Sequence, residues 1–254
     1  MTDILALSEV RRAFYGVEVL RGVTFSVRER SFTGLIGPNG AGKSTLFNVL
    51  SGLYAADAGS LRFDGRDMAG RGPDDLVRNG LARTFQLARG FPKLTVFQHL
   101  MLHGQAQAGE NLWNALVGTA ATRRHEEALA ERALGIARRL RLDRVIDNRV
   151  TALSGGQKKL LEIGRALMSE PRMILLDEPM AGVNPSLVNE IGDHLTAINN
   201  EGITILLIEH DMALIRRLCA PVIVMADGAV MAEGSFEEVA ARPDVQRAYL
   251  GSRH

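Results

Sequence analysis

Residues 37–45 read Gly37-Pro38-Asn39-Gly40-Ala41-Gly42-Lys43-Ser44-Thr45, and their reading decides the fold. The pattern G-x-x-x-x-G-K-[ST] is a phosphate-binding loop when it joins a strand to a helix. Both flanks are present. The apolar run Phe32 to Ile36 precedes the loop, and KSTLFNVLS, Lys43 to Ser51, follows as a helix. Glycines let successive backbone N–H groups turn inward around phosphate oxygens, and a helix N-terminus adds partial positive charge. Lys43 then reaches the β- and γ-phosphates, and Ser44 offers its hydroxyl to Mg²⁺. A plain glycine-rich turn is the competing reading. Chance places this pattern in a chain of this length with a probability of about one in a hundred, and the strand–loop–helix context lowers it further.

Working outward, the N-terminal third reads as strands and turns: Ile4 to Val10, Val23 to Val27, and Leu61 to Phe63 closed by Asp64-Gly65. From Thr95 to about Leu142 the pattern is helical, with Leu129, Ala133, Ile136 and Leu140 at helical spacing and a capping box at Thr95-Val96-Phe97-Gln98. Ala106 to Ala121, with the lone Trp113, reads as a short helix plus loop. The last third alternates. Met173 to Leu176, Thr204 to Ile208 and Val222 to Met225 are buried strands, Leu187 to Glu201 and Met212 to Cys219 are helices, Asp227-Gly228 is a hairpin turn, and Ser235 to Glu238 opens a final helix. Strand–helix alternation with continuous apolar strands predicts a parallel sheet covered on both faces.

Met173 to Pro179 delivers Asp177 and Glu178 at the C-terminal end of a buried strand, the end where ligands bind in open α/β sheets. Neighbouring strand residues point to opposite sides, so the two acids have different jobs. Asp177 suits a Mg²⁺-holding role and Glu178 the polarisation of an attacking water. Without the phosphate loop, a solvated Asp-Glu pair would be the better reading. Leu153-Ser154-Gly155-Gly156-Gln157 contains a capping box between Ser154 and Gln157. Each glycine in that first turn costs about 1 kcal/mol relative to alanine. A helix that accepts them points to exposed N–H groups for an anion, so Ser154, Gly155 and Gly156 form a second phosphate-directed surface.

Four further residues stand in informative places. Gln86 follows the strand-like Ala82 to Phe85, and His210 follows the apolar strand Thr204 to Ile208. A histidine at such a strand end has the reach to contact a γ-phosphate. The histidines at 99, 103, 125, 194 and 254 lack that context and read as surface or packing. Phe14 and Tyr15 each offer a ring for an adenine, although an aromatic there is as often core.

Composition bounds the rest. The chain has 254 residues, 30 basic against 29 acidic, for a net charge of +1. That balance argues against an obligate nucleic-acid binder. One cysteine, Cys219, excludes an internal disulfide framework and a cysteine-based zinc cluster. Apolar runs such as Ile203 to Ile208 fall far short of the roughly 20 residues a bilayer span needs. The start, MTDILALSEVRR, carries no sustained apolar stretch and predicts no signal peptide.

Taken in order, these segments resemble the ATP-binding subunit of ABC transporters: an aromatic A-loop at Phe14, Walker A at 37–45, a Q-loop at Gln86, LSGGQ at 153–157, Walker B ending in Asp177-Glu178, and an H-loop at His210. The stretches RTFQLARGFPKLTVFQHL, DEPMAGVNP and LLIEHDM, and the ending AYLG, are similar to the LivG-type ATPase of branched-chain amino acid importers. Lipopolysaccharide-transport ATPases are similar over DEPMAGVNP. Two positions depart from the family wording. Asn184 stands where the general D-loop ends in Asp, and Phe14-Tyr15-Gly16 stands where the subfamily has Phe-Gly-Gly. Counting to Leu20 puts Phe14 in the stacking place, with Tyr15 as the alternative.

The resemblance implies one ABC ATPase domain over 1–254. Residues 1–90 and 155–254 would form a RecA-like α/β P-loop core with an antiparallel β subdomain, and 91–154 an inserted α-helical subdomain. It implies ATP and Mg²⁺ as cofactors. Gly37 to Thr45 bind phosphate. Ser44, Gln86 and Asp177 serve the metal, and Glu178 acts as base or water-orienter. His210 holds the γ-phosphate, and Ser154, Gly155, Gly156 and Gln157 face the ATP of a second copy. The implied partners are a second ABC ATPase subunit, as homo- or heterodimer, membrane permeases touched by Leu87 to Thr95, and an extracytoplasmic solute-binding protein indirectly. The implied location is peripheral, on the cytoplasmic face of the inner membrane. The alternatives are the ATPase of a lipopolysaccharide-type exporter, a soluble ABC ATPase of repair or translation, and a P-loop metabolite kinase. The last leaves LSGGQ and His210 unexplained.

Overall fold

The computed structural model describes residues 2–84, 91–104 and 120–250. In chain order its elements begin with β1 (Asp3–Phe14), β2 (Val17–Arg28), β3 (Phe32–Ile36), α1 (Lys43–Leu50), β4 (Ala58–Phe63), β5 (Arg66–Asp67), α2 (Pro73–Arg78) and β6 (Leu81–Arg83). Then come α3 (Val96–Met101), α4 (Ala120–Arg139), α5 (Gly155–Met168), β7 (Met173–Asp177) and α6 (Pro185–Asn200). The chain closes with β8 (Thr204–Ile208), α7 (Met212–Leu218), β9 (Val222–Ala226), β10 (Ala229–Gly234), α8 (Phe236–Ala240) and α9 (Pro243–Leu250). These elements divide into two compact units. One takes in the described residues of Met1–Arg83, Arg172–Ala181 and Gly192–His254, the other those of Thr84–Pro171 and Gly182–Ile191.

The first unit holds two sheets. An antiparallel sheet has the order β2-β1-β4-β5, and a six-stranded sheet has the order β10-β9-β3-β8-β7-β6. In the second sheet β9, β3, β8, β7 and β6 run parallel, and β10 returns antiparallel from the Asp227-Gly228 turn. Every residue of β3, β8 and β9 is buried, as a sheet covered on both faces requires. The strands β1 and β2 are longer than their apolar runs predict. Beyond Ile4, burial follows one face of each, through Leu5, Leu7 and Val10 or Val23, Phe25 and Val27, so the polar half carries no apolar signal. Phe47, Leu46 and Leu50 of α1 join Leu35, Leu175 and Leu206 of the sheet in one core. Each such fully buried side chain contributes about 1.5–3 kcal/mol, so the phosphate loop is braced from below by packed hydrocarbon.

Cys219, just after α7, is buried, and its thiol is pushed up to about 12, chiefly by burial and further by the nearby Glu209 charge. The thiolate is the reactive form. We therefore expect Cys219 to resist a disulfide reagent at pH 8 in the folded chain and to react fully in denaturant. Rapid labelling of the folded chain would contradict this burial.

The second unit is helical. Thr95 and Gln98 form the capping box of α3, and Ser154 and Gln157 that of α5. Its limits differ from the expected 91–154. The helix α5, following Ser154, packs on α3 and α4 in this unit, and residues 182–191 join it. His99 and His103 serve packing, as expected. His99 Nε2 lies 3.0 Å from the Phe91 carbonyl, and His103 Nε2 accepts from Arg165 Nε at 3.0 Å. Burial pushes both imidazoles below the ordinary histidine value, which keeps them neutral. Of the segment expected as short helix plus loop, Ala120 and Ala121 begin α4; the remainder, with Trp113, lies outside the described residues. Among the described residues no helix is long and apolar enough to cross a membrane.

Candidate functional site

The phosphate loop leaves the C-terminal edge of β3 and turns into α1 at Gly42, whose φ is +93°. An L side chain there would be strained and would press on the Val19 carbonyl and Leu20, so glycine is required. Lys43 is buried, and its Nζ donates to the carbonyls of Gly37 at 2.7 Å and Pro38 at 2.9 Å. Burial pushes the Lys43 ammonium below the ordinary lysine value, while the charges of Glu178 and Asp177 oppose that shift. Both acids therefore act on the same cation across the loop. A cavity of about 210 Å³ opens here, lined by Asn39 to Thr45 with Val19, Glu178 and His210. It is smaller than the ~300 Å³ of a typical small-molecule pocket, which suits the phosphate end of a nucleotide.

Asp177 and Glu178 part company at the end of β7, as strand alternation predicts. Asp177 Oδ2 accepts from Arg83 Nη2 at 2.8 Å. Glu178 leaves the strand in a left-handed conformation, φ +47°, and its N–H donates to the Ile208 carbonyl at 3.0 Å. Non-glycine residues adopt that region at a cost and cluster at functional sites. Its Oε1 lies 2.8 Å from His210 Nε2, with both side chains about half exposed. The structure thus brings the loop, Asp177, Glu178 and His210 together in the first unit.

Two residues here escaped the sequence reading. Arg83 ends β6, and Glu209 precedes His210. Glu209 is buried, and its carboxylate accepts from the N–H of Met180 at 2.8 Å and of His210 at 3.1 Å. Burial raises its pKa, and those two hydrogen bonds oppose the rise. It ties the segment after Glu178 to the strand end that carries His210. The available signal in both cases was a charge placed directly on the end of an apolar parallel strand, where it must find a partner.

The remaining expected residues stand elsewhere. Gln86 lies outside the described residues. Phe14 ends β1 with its ring edge-on to Tyr54 at 5.3 Å and the Arg12 guanidinium 4.8 Å over it, while Tyr15 is fully exposed at the hairpin tip. Ser154 to Gln157 belong to the second unit. There Ser154 Oγ accepts from the Gln157 N–H at 3.3 Å, and Gln157 Oε1 accepts from the Ser154 N–H at 2.9 Å. The two glycines separate. A Cβ on Gly156 would press on Leu187, which is a packing reason for glycine, whereas Gly155 faces open space. Gly156 thus has a packing reason for glycine that Gly155 lacks.

Comparison with known proteins bears on this geometry. The family described as ABC transporter matches residues 20–181, and the one described as branched-chain amino acid ATP-binding cassette transporter matches residues 229–254. The chain is 38% identical over 253 residues to a probable branched-chain amino acid transport ATP-binding protein of Methanocaldococcus jannaschii, covering 98% of each chain. It is 36% identical to the high-affinity branched-chain amino acid transport ATP-binding protein BraF of Pseudomonas aeruginosa, again over 98% of each. A crystal structure of the ADP conformation of an ATP-binding cassette of an ABC transporter superposes with a TM-score of 0.86 at 37% identity, covering 99% of this chain and 100% of that one. The chain belongs to the ABC transporter family, as an ATP-binding and ATP-hydrolysing subunit of the branched-chain amino acid transport branch. The fold implied by the family resemblance, a P-loop ABC ATPase, is the one found.

Proposed function

We propose that this ATPase powers an importer of branched-chain amino acids or related amino acids and amides. The observation that carries the catalytic part is the Glu178–His210 contact of 2.8 Å, on the wall of the cavity that Lys43 and Ser44 also line. The loop amides of Asn39 to Gly42 and the Lys43 ammonium hold the phosphates, and the adenine stacks on Phe14, with Tyr15 the alternative. Ser44, Gln86 and Asp177 supply a hydroxyl, an amide and a carboxylate, an oxygen donor set that fits Mg²⁺. Bound there, Mg²⁺ offsets charge on the β- and γ-phosphates. Glu178 accepts the proton of the attacking water, and His210 holds Glu178 on one side and the γ-phosphate on the other. Phosphoryl transfer needs mainly positioning and charge stabilisation, so a site completed only when a second ATPase subunit presents its own Ser154 to Gln157 turns over only in the dimer.

The partners are that second subunit, identical or homologous, a pair of membrane permeases touched near Leu87 to Thr95, and through them a solute-binding protein on the far side. The chain then works on the cytoplasmic face of the membrane. The names of the relatives and the match over residues 229–254 support the solute class. Uptake of labelled leucine, by vesicles in which this chain is assembled with its permease partners, tests it. ATP turnover without uptake of any branched-chain amino acid would overturn the solute class. We further expect Ser154→Arg to bind ATP as a monomer with unchanged affinity and to form no ATP-dependent dimer on size exclusion. Undiminished dimerisation would remove the role of Ser154.

A further inference from the structure

We infer that Arg83 is a positioning residue for the metal side of the site, fixing Asp177 to the helix that presents Ser44. The argument rests on the reading of Asp177 as a metal-holding carboxylate. The Arg83 side chain is only 10% exposed and that of Asp177 22%. One arm of the guanidinium, Nη2, donates to Asp177 Oδ2 at 2.8 Å. The other, Nη1, donates to Asn48 Oδ1 at 2.7 Å and to Ser51 Oγ at 2.9 Å. The plane lies 5.7 Å from the centre of the Phe47 ring. Three elements of the first unit are thereby joined: the end of β6, the last turn of α1 and the end of β7.

The consequence is geometric. A carboxylate at a strand end turns freely about its last bond. With Oδ2 held by Arg83, its orientation is set and Oδ1 is left for other partners. Ser44 stands at the start of α1 and Ser51 at its end, about 10 Å apart along one rigid helix. Arg83 grips that helix and Asp177 together, so both metal-side donors are referred to a single body. Sites of this kind tolerate displacements of only about 0.5 Å. A planar fork with two separate donor arms performs this bracing, and a lysine ammonium on a flexible stem does not.

The test uses the full chain with Mn²⁺ as the probe. Mn²⁺ affinity of the ATP complex is read by electron paramagnetic resonance, and ATP affinity is read separately in EDTA. Arg83→Gln is expected to weaken Mn²⁺ binding about tenfold, with ATP affinity in EDTA within twofold of the parent. Arg83→Lys is expected to restore only part of the loss. Asp177→Asn is expected to weaken Mn²⁺ by itself, and the double variant to be no worse than Asp177→Asn alone, because the two act as a unit. If Asp177→Asn leaves Mn²⁺ affinity unchanged, the metal reading of Asp177 falls, and this inference with it. If Asp177→Asn weakens Mn²⁺ and Arg83→Gln does not, only the inference falls. Should Arg83→Gln fail to fold, the double variant Asn48→Ala, Ser51→Ala leaves the Arg83–Asp177 pair and removes its far anchors. A severalfold loss of Mn²⁺ affinity then supports the bracing role, and parental affinity overturns it.

Discussion

Glu178→Gln is expected to bind ATP as the parent does and to turn it over at least about 10²-fold more slowly, the size of losing general-base assistance. The amide keeps the length and shape of the side chain and retains an oxygen for the His210 contact at 2.8 Å. It cannot take a proton. The backbone of the residue, held left-handed at φ +47° with its N–H on the Ile208 carbonyl, does not depend on the carboxylate, so the fold is preserved. Single-turnover and steady-state phosphate release, beside a direct ATP-binding measurement, separate binding from chemistry. Near-normal turnover in this variant would sink the assignment of Glu178 as base.

Lys43→Ala is expected to weaken ATP binding by about 10²–10³-fold, and turnover with it. Lys43 Nζ is held by two loop carbonyls, with its charge felt by Glu178 and Asp177, so it already lies at the mouth of the loop where phosphate charge concentrates. Each charge-assisted hydrogen bond removed costs about 1.5–3 kcal/mol, and two of them reach this range. Alanine also removes the donor to the Gly37 and Pro38 carbonyls and loosens the cradle itself. Titration with a fluorescent ATP analogue measures the loss. An affinity within fivefold of the parent would show that the backbone amides alone bind the phosphates. The two variants are complementary, since one removes chemistry at intact affinity and the other removes affinity.

The separation between what was legible and what was not follows particular residues. The loop at 37–45 could be read directly because phosphate binding is done by backbone, and only a fixed spacing of glycines frees that backbone. Capping boxes at Thr95, Ser154 and Ser235 were equally legible, since each is a local exchange of two hydrogen bonds over three residues. The strands β3, β7, β8 and β9 were found nearly to the residue, because burial on both faces leaves short runs made mostly of apolar and β-branched residues. The one-sided strands β1 and β2 were undercounted, because half of each is polar.

Sequence alone therefore determined the class of chemistry: a phosphate loop, an acid pair and a histidine on strand ends, and a signature segment, in the order of an ABC ATPase. Tertiary structure decided what each charged side chain faces. Arg83 is 94 positions from Asp177 in the chain, yet the β6–β7 pairing sets them side by side. Gly156 has a second reason to be glycine that its local sequence does not display, because Leu187 lies against it. In each case the reason is the same. Local motifs depend on residues a few positions apart, which sequence displays, whereas the partners of a buried charge or a crowded glycine are brought by sheet order and helix packing.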